Sequence, residues 1–470
     1  AAAASENEEQ SNGTGKKYII AMDTTFAPFE FEDSQGNRVG IDVELLEAIA
    51  KDQGFEYEAR AIGFDAALQA VESGQADGIL AGCSITEERQ KKMDFSTPYF
   101  DSGISMAVSK ENDSIQSYED LRGKKVAVKV GTEGATLANK LSEQYGFSVV
   151  TFDDSANMYE DVKLGNTAAC FEDYPVLGYA ISQDIGLKLV GEKEAGSSYG
   201  LGVKKGQNAE LLQMFNDGLE NVKASGEYQR ILDSYISSGD GTAANVESNE
   251  GVNFFTLLGT TFPRFVQAAG VTLWITAVSL VFAVVLGLLF CALRLSKYKV
   301  LHAITRVYLW VIRGTPVIVQ AFMIYFGIPK LFGFTMPVEV ASIITLTLNA
   351  GAYLSEIFRS GIEAVDVGQM EAARSLGLPY MKTMQKVILP QAARIVIPSV
   401  INQFIITLKD SSILSVIGLA ELTKVGKAIV AQNLESFNTY LILAIYYLIL
   451  VSLLTALSAV VERRLRRGKL

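Results

Sequence analysis

Hydrophobic and polar positions follow two different patterns along this chain, and the change falls near Asn253. Before it, apolar runs are short and separated by charges. YIIAMD from Tyr18 predicts a buried strand, and VELLEAIAKDQG an amphipathic helix ended by Gly54. YEARAI predicts a second strand and ALQAVESG a second helix before GILAG. The alternation restarts at LRGKKVAVKVGTEG and continues through SVVTF, MYEDVKLG and AACFEDYPVLGYAI. Strand–helix alternation of this kind predicts two α/β lobes with largely parallel sheets. The run after Ser197 supplies one more strand and two helices that return to the first lobe, which places a hinge near Gly103 to Val108 and Ser197 to Val203.

After Asn253 the runs lengthen. Gly270 to Leu293 and Ser436 to Val461 are uncharged and long enough to span a bilayer. Three further segments, near Thr315 to Phe332, Pro337 to Ile357 and Ile395 to Leu419, are shorter or polar-interrupted, the last by Lys409 and Asp410. Such segments pack inside a helical bundle. Arg294, Lys297, Lys299, Arg306 and Arg313 follow the first span, a basic block follows the third, and RRLRRGKL ends the chain. The positive-inside rule makes these regions cytoplasmic, with residues 17–236 outside the cell.

The expected organisation is a disordered tail at 1–16 and a binding domain at 17–236, its first lobe about 17–104 and 201–236 and its second about 105–200. A flexible linker follows at 237–253, then an all-α transmembrane domain at 254–470. The linker is rich in Gly, Ser, Asn and acids, and would span roughly 20 Å.

Composition sharpens this division. Hydrophobic residues make up 49% of the 470, yet the formal net charge is −11. An acidic soluble part joined to an apolar membrane part accounts for both, and the acidity argues against nucleic acid as a partner. Cys83, Cys170 and Cys291 are odd in number without CxxC spacing, so neither a disulfide framework nor a metal site is expected. His302, the single histidine, reads as a solvated residue of a basic loop. The start AAAASENEEQ lacks Met, which suggests a removed export signal or non-native leading residues.

The basic block is EAARSLGLPYMKTMQKVILP, Glu371 to Pro390. Small Ala372 and Ala373 permit close approach of another surface, Gly377 ends one helix, and Leu378-Pro379 starts the next, giving an elbow that can seat in a partner's cleft. It resembles the EAA loop of ABC-importer permeases, on the positions Glu371, Ala372, Ala373, Gly377, Val387, Leu389 and Pro390. The segments VIRGTPVIVQAF, LTLNAGAYLSEIFRSGIEAV and INQFIITLKDSSILSVIGLAEL extend that resemblance over nearly all of 255–465. It implies a homodimer bound to two cytosolic ATPase subunits. No GxxxxGK[ST] occurs here, so ATP and Mg would be used by that partner and no cofactor is expected in this chain.

DTTFAPFEFEDSQGNRVGIDVELLEAIA and LAGCSITEERQKKMDFSTPYF resemble the periplasmic-type binding proteins for polar amino acids, especially glutamine binders. The resemblance implies two lobes closing on one free amino acid. Phe26 and Phe64 would sandwich its aliphatic part, Arg89 hold its α-carboxylate, and Asp173 take its α-amino group with the Gly82 carbonyl and Ser84 hydroxyl. Taken singly, Arg89 reads as a solvated helix charge and the two phenylalanines as core; as an ordered set they read as a site.

Pairing both charges of a zwitterion in this way offsets their desolvation. The resemblance also gives Asp23 and Lys129 the side-chain amide of glutamine, Asp23 accepting from its nitrogen and Lys129 donating to its oxygen. Glu172 stands where glutamine binders often have histidine, and Glu133 follows Thr132, a further site position, where glycine is common. Asparagine, glutamate and basic amino acids are the alternatives. A ligand-gated channel would carry its membrane segments between the lobes, and a membrane-anchored sensor would need no EAA block.

Overall fold

The computed structural model describes residues 16–33, 36–236, 253–296, 298–433 and 436–467. The expected tail and linker lie outside these residues, apart from Lys16 and Asn253. Contacts group the chain into two compact units, one formed mainly before Phe254 and one mainly after it.

The first unit contains two α/β lobes. Its first sheet runs Glu56–Ala61, Lys17–Met22, Gly78–Ile79, Gly202–Lys204, Met93–Phe95. The second runs Leu187–Tyr199, Phe100–Ser109, Ala169–Asp173, Lys125–Lys129, Ser148–Phe152. Helix Ile41–Gln53 stops at Gly54, as its sequence predicts, and buries Leu45, Leu46 and Ile49 against Ile20, Met22 and Phe215 in the first core. Met106, Val126, Val128 and Phe171 form the second.

Two expectations need correction. Each sheet is mixed rather than largely parallel: three parallel strands are joined by antiparallel ones. The antiparallel pairings involve the strands that carry the chain between lobes, which enter each sheet without the crossover that parallel pairing needs. The first hinge crossing is also not at Gly103 to Val108. Met93–Phe95 belongs to one sheet and Phe100–Ser109 to the other, so the chain crosses at Ser96 to Tyr99 and the first lobe ends before 104. Gly103 serves close strand approach instead, since a Cβ there would lie 2.7 Å from the Glu194 carbonyl oxygen. The return crossing, at Gly200 and Leu201, falls inside the expected Ser197 to Val203.

The second unit is helical. Phe254–Leu295, Val338–Glu363, Tyr380–Ile417 and Ser436–Val460 are long and apolar enough to cross a membrane, and Lys299–Gly314 with Val317–Phe332 forms a fifth span if that pair, bent by 107°, crosses once. Val338–Glu363 is the most enclosed, with 56% of its apolar window buried. Ala283, Cys291, Ala350, Leu354, Phe358 and Val396 pack together around it, and Thr272, Thr276, Ser279, Ser342 and Thr345 are buried alongside. Small and hydroxyl side chains permit the close helix contacts that membrane bundles rely on. The expected basic loop around His302 is instead helix Lys299–Gly314, because its apolar residues recur at helical spacing between the basic ones.

Candidate functional site

Parallel strands deliver the predicted residues to one edge of each sheet. Asp23 directly follows strand Lys17–Met22, and Gly82 and Ser84 follow Gly78–Ile79. In the second lobe, Lys129 and Asp173 end strands Lys125–Lys129 and Ala169–Asp173, whose register sets Glu172 beside Lys129. Ligand sites in open α/β sheets form at such carboxyl ends.

Asp23 and Lys129 meet across the lobes as an ion pair, each side chain 1% exposed. The Lys129 ammonium also lies 5.3 Å from the Phe26 ring centroid. Burial alone would lower Lys129, but Asp23 and then Glu172 outweigh it and hold the ammonium above its ordinary range. Phe26 packs against Gly82, where φ is +50° and a Cβ would lie 2.2 Å from the ring. Only glycine suits that place.

Arg89 sits in the short helix Glu87–Gln90, capped by Thr86. Its guanidinium lies 5.1 Å from the Phe64 ring centroid and donates to the Ser84 carbonyl at 2.8 Å and, from across the lobes, to the Gly131 carbonyl at 3.0 Å. Thr132 caps helix Glu133–Tyr145, accepting from the Ala135 N–H at 3.2 Å while donating to the Lys129 carbonyl at 2.8 Å. The structure therefore gives this hydroxyl a structural role. Glu133 accepts from the Ser197 hydroxyl at 2.8 Å, next to the return crossing. Glu172 is buried and accepts from the Ser155 hydroxyl at 2.7 Å and the Tyr159 hydroxyl at 3.5 Å, inside its own lobe.

Three further groups escaped the sequence reading. Tyr199, fully buried, donates to the Asp173 carboxylate and accepts from the Ser102 hydroxyl at 2.9 Å. Asp42, at the start of the first helix, accepts from the Gly82 N–H at 2.8 Å and the Tyr99 hydroxyl at 2.9 Å, linking the site loop to the first crossing. Glu30 is fully buried beside Asp42, and burial followed by the Asp42 charge pushes its carboxyl well above the usual range. GIDVEL was legible as a helix start, but nothing in its spacing discloses that Asp42 turns inward.

Burial raises the Asp173 carboxyl to about 8, with Glu172 adding to the shift and the Tyr199 hydrogen bond opposing it. This group takes up a proton on folding. Its contribution to the stability of the ligand-free domain is full below about pH 4, the usual aspartate value, and is lost as pH rises through about 8. Asp173→Asn is therefore expected to flatten the fall in melting temperature between those limits and to abolish amino-acid binding, read from thermal melts with and without ligand. An unchanged slope would place the titration elsewhere.

The predicted coupling residues lie along one stretch of helix, turn and helix. Helix Val367–Ser375 presents Glu371 and Ala372 to the exterior while Ala373 is buried. Gly377, at φ +85°, turns the chain, and Pro379 precedes the helix that carries Leu389 and Pro390 onward into the long span. Leu376 and Met381 are 85% and 63% exposed, so the elbow offers apolar as well as charged surface.

Two family profiles match the chain. Residues 18–238 match the bacterial extracellular solute-binding proteins, family 3, and residues 279–467 the inner membrane component of binding-protein-dependent transport systems. The probable amino-acid permease YxeN of Bacillus subtilis (strain 168) is 38% identical over 208 residues, which are 44% of this chain and 93% of that one. The chain belongs to the binding-protein-dependent transport permeases.

It is a fused solute-binding and permease chain of an amino-acid ABC importer, and a membrane protein. The glutamine transport system permease GlnP of Escherichia coli (strain K12) is 37% identical over 205 residues, 43% of this importer chain and 94% of that one. The arginine transport system permease ArtQ of Bacillus subtilis (strain 168) is 36% identical over 204 residues, 43% of this chain and 93% of that one. Among solved structures, an ancestral arginine-binding protein bound to arginine is 40% identical at a TM-score of 0.44, covering 46% of this chain and 97% of that one. The second substrate-binding domain of Lactococcus lactis GlnP is 44% identical at 0.37, covering 47% and 96%.

Proposed function

We propose that this importer chain captures glutamine between its two lobes and passes it through its own membrane domain. The observation that carries the reading is the buried Asp23–Lys129 pair. An amide can insert between these two groups, donating to the carboxylate and accepting from the ammonium, so both stay satisfied. A glutamate carboxylate would face Asp23, and an arginine guanidinium would face Lys129, each a like-charge contact in a closed cleft. Glu172, the obvious partner for a basic side chain, is engaged with Ser155. Arg89 takes the α-carboxylate by exchanging its carbonyl contacts for a two-point fit, and Asp173 takes the α-ammonium. Phe26 and Phe64 flank the aliphatic carbons.

In this reading the closed domain docks on the outer face of a homodimeric permease. Two copies of a separate ATPase engage the elbow around Glu371 from the cytoplasm, and ATP binding there moves the spans. The basic residues after the first, third and fifth spans support that orientation. Reconstitution of the full chain with such an ATPase is expected to give hydrolysis stimulated several-fold by external glutamine, accompanied by glutamine uptake. Stimulation without uptake would point to a sensor, and stimulation by arginine alone would remove the glutamine assignment.

A further inference from the structure

Helix Lys299–Gly314 has three faces. Thr305, Leu309 and Ile312 are buried against the bundle. Val300, Ile304, Val307 and Val311, at i, i+4, i+7 and i+11, are 70%, 50%, 58% and 42% exposed. The remaining face carries Lys299, His302, Arg306 and Arg313.

That basic face borders a cavity of about 590 Å³, lined also by Arg294, Trp310, Tyr353 and Glu356. The single carboxylate among its lining residues is already taken, because Glu356 pairs with Arg294 and lies 3.0 Å from Arg359. Arg306 and Arg313 have no ion-pair partner among the described residues, and Arg313 lies 5.4 Å from the Tyr353 ring centroid. Trp310, 76% exposed, stands at the same rim.

We propose that this cavity binds the phosphate headgroup of an anionic phospholipid, with the exposed valine and isoleucine row of Lys299–Gly314 lying among the acyl chains. Guanidinium pairs fit phosphate oxygens through two-point hydrogen bonding, and a half-exposed helix with apolar and cationic faces belongs at the membrane interface. The bend of 107° after Gly314 is consistent with a helix along the surface followed by a span into the bilayer. Charge complementarity favours a lipid over a protein segment here, because the apolar row adjoins the basic cavity along one helix.

Native mass spectrometry of the full chain in mild detergent, titrated with dioleoylphosphatidylglycerol or dioleoylphosphatidylcholine, tests this. The wild type is expected to retain the anionic lipid preferentially, and the double variant Arg306→Ala, Arg313→Ala to retain it roughly 10- to 30-fold less. Lys330→Ala, at another helix, should leave retention unchanged. Equal retention of both lipids, or an unaffected double variant, overturns the proposal, as does displacement of the lipid by millimolar inorganic phosphate.

A second readout does not depend on the double variant folding. Trp274→Phe leaves Trp310 as the remaining one of two tryptophans. Its fluorescence in vesicles should be quenched more by brominated phosphatidylglycerol than by brominated phosphatidylcholine at equal fraction. Equal quenching, or a disulfide between two copies joined through Arg306→Cys, contradicts the lipid assignment and makes the face a protein interface.

Discussion

Arg89→Ala is expected to lower the affinity of the binding domain for its amino acid by at least 100-fold while the domain stays folded. Arg89 is partly exposed and packs on Phe64 rather than within either core, so its removal leaves both sheets intact. The bound α-carboxylate would then be buried without a cation, and breaking one side of a buried charge pair costs about 3–5 kcal/mol. That corresponds to roughly two to four orders of magnitude in the dissociation constant. The Arg89 link to the Gly131 carbonyl would go as well, removing a contact between the closed lobes. Titration calorimetry on the variant measures this. Affinity within a few-fold of wild type would mean the carboxylate binds elsewhere.

Glu371→Arg is expected to leave amino-acid binding untouched and to reduce ATP-driven uptake by tenfold or more. Glu371 is exposed on helix Val367–Ser375, so reversing its charge leaves the elbow folded. The loss would fall on docking, since a charge mismatch across an interface costs on the order of several kcal/mol. Uptake and hydrolysis should be measured together in proteoliposomes. Hydrolysis that continues without uptake is the expected signature, and normal uptake would remove the coupling role from this elbow.

Much of the fold was legible because each unit repeats one strong period. Strand–helix alternation located the lobes, and Gly54 and Gly377 marked helix ends that the structure places where their flexible backbones predict. Mixed strand direction was not legible, since a buried strand has the same apolar pattern whichever way its neighbour runs. The first hinge was misplaced because Gly103 reads as a break, whereas it lets strand Phe100–Ser109 approach Leu187–Tyr199.

At the site, Asp23 and Lys129 were legible only through the family resemblance, because a whole lobe separates them in sequence, and the structure brings them into contact. Tyr199, Glu30 and Asp42 were missed for a physical reason: each acts through burial and a partner distant in sequence. Thr132 was legible as a site position but not as the cap of helix Glu133–Tyr145, the role its hydroxyl takes here.

The most direct test of the account is calorimetric titration of residues 17–236, whose cores form from their own side chains, with glutamine, asparagine, glutamate, arginine and histidine. Glutamine is predicted to bind tightest, with arginine weaker by at least tenfold because its guanidinium would face Lys129. Arginine binding best, or no heat with any of the five, would contradict it.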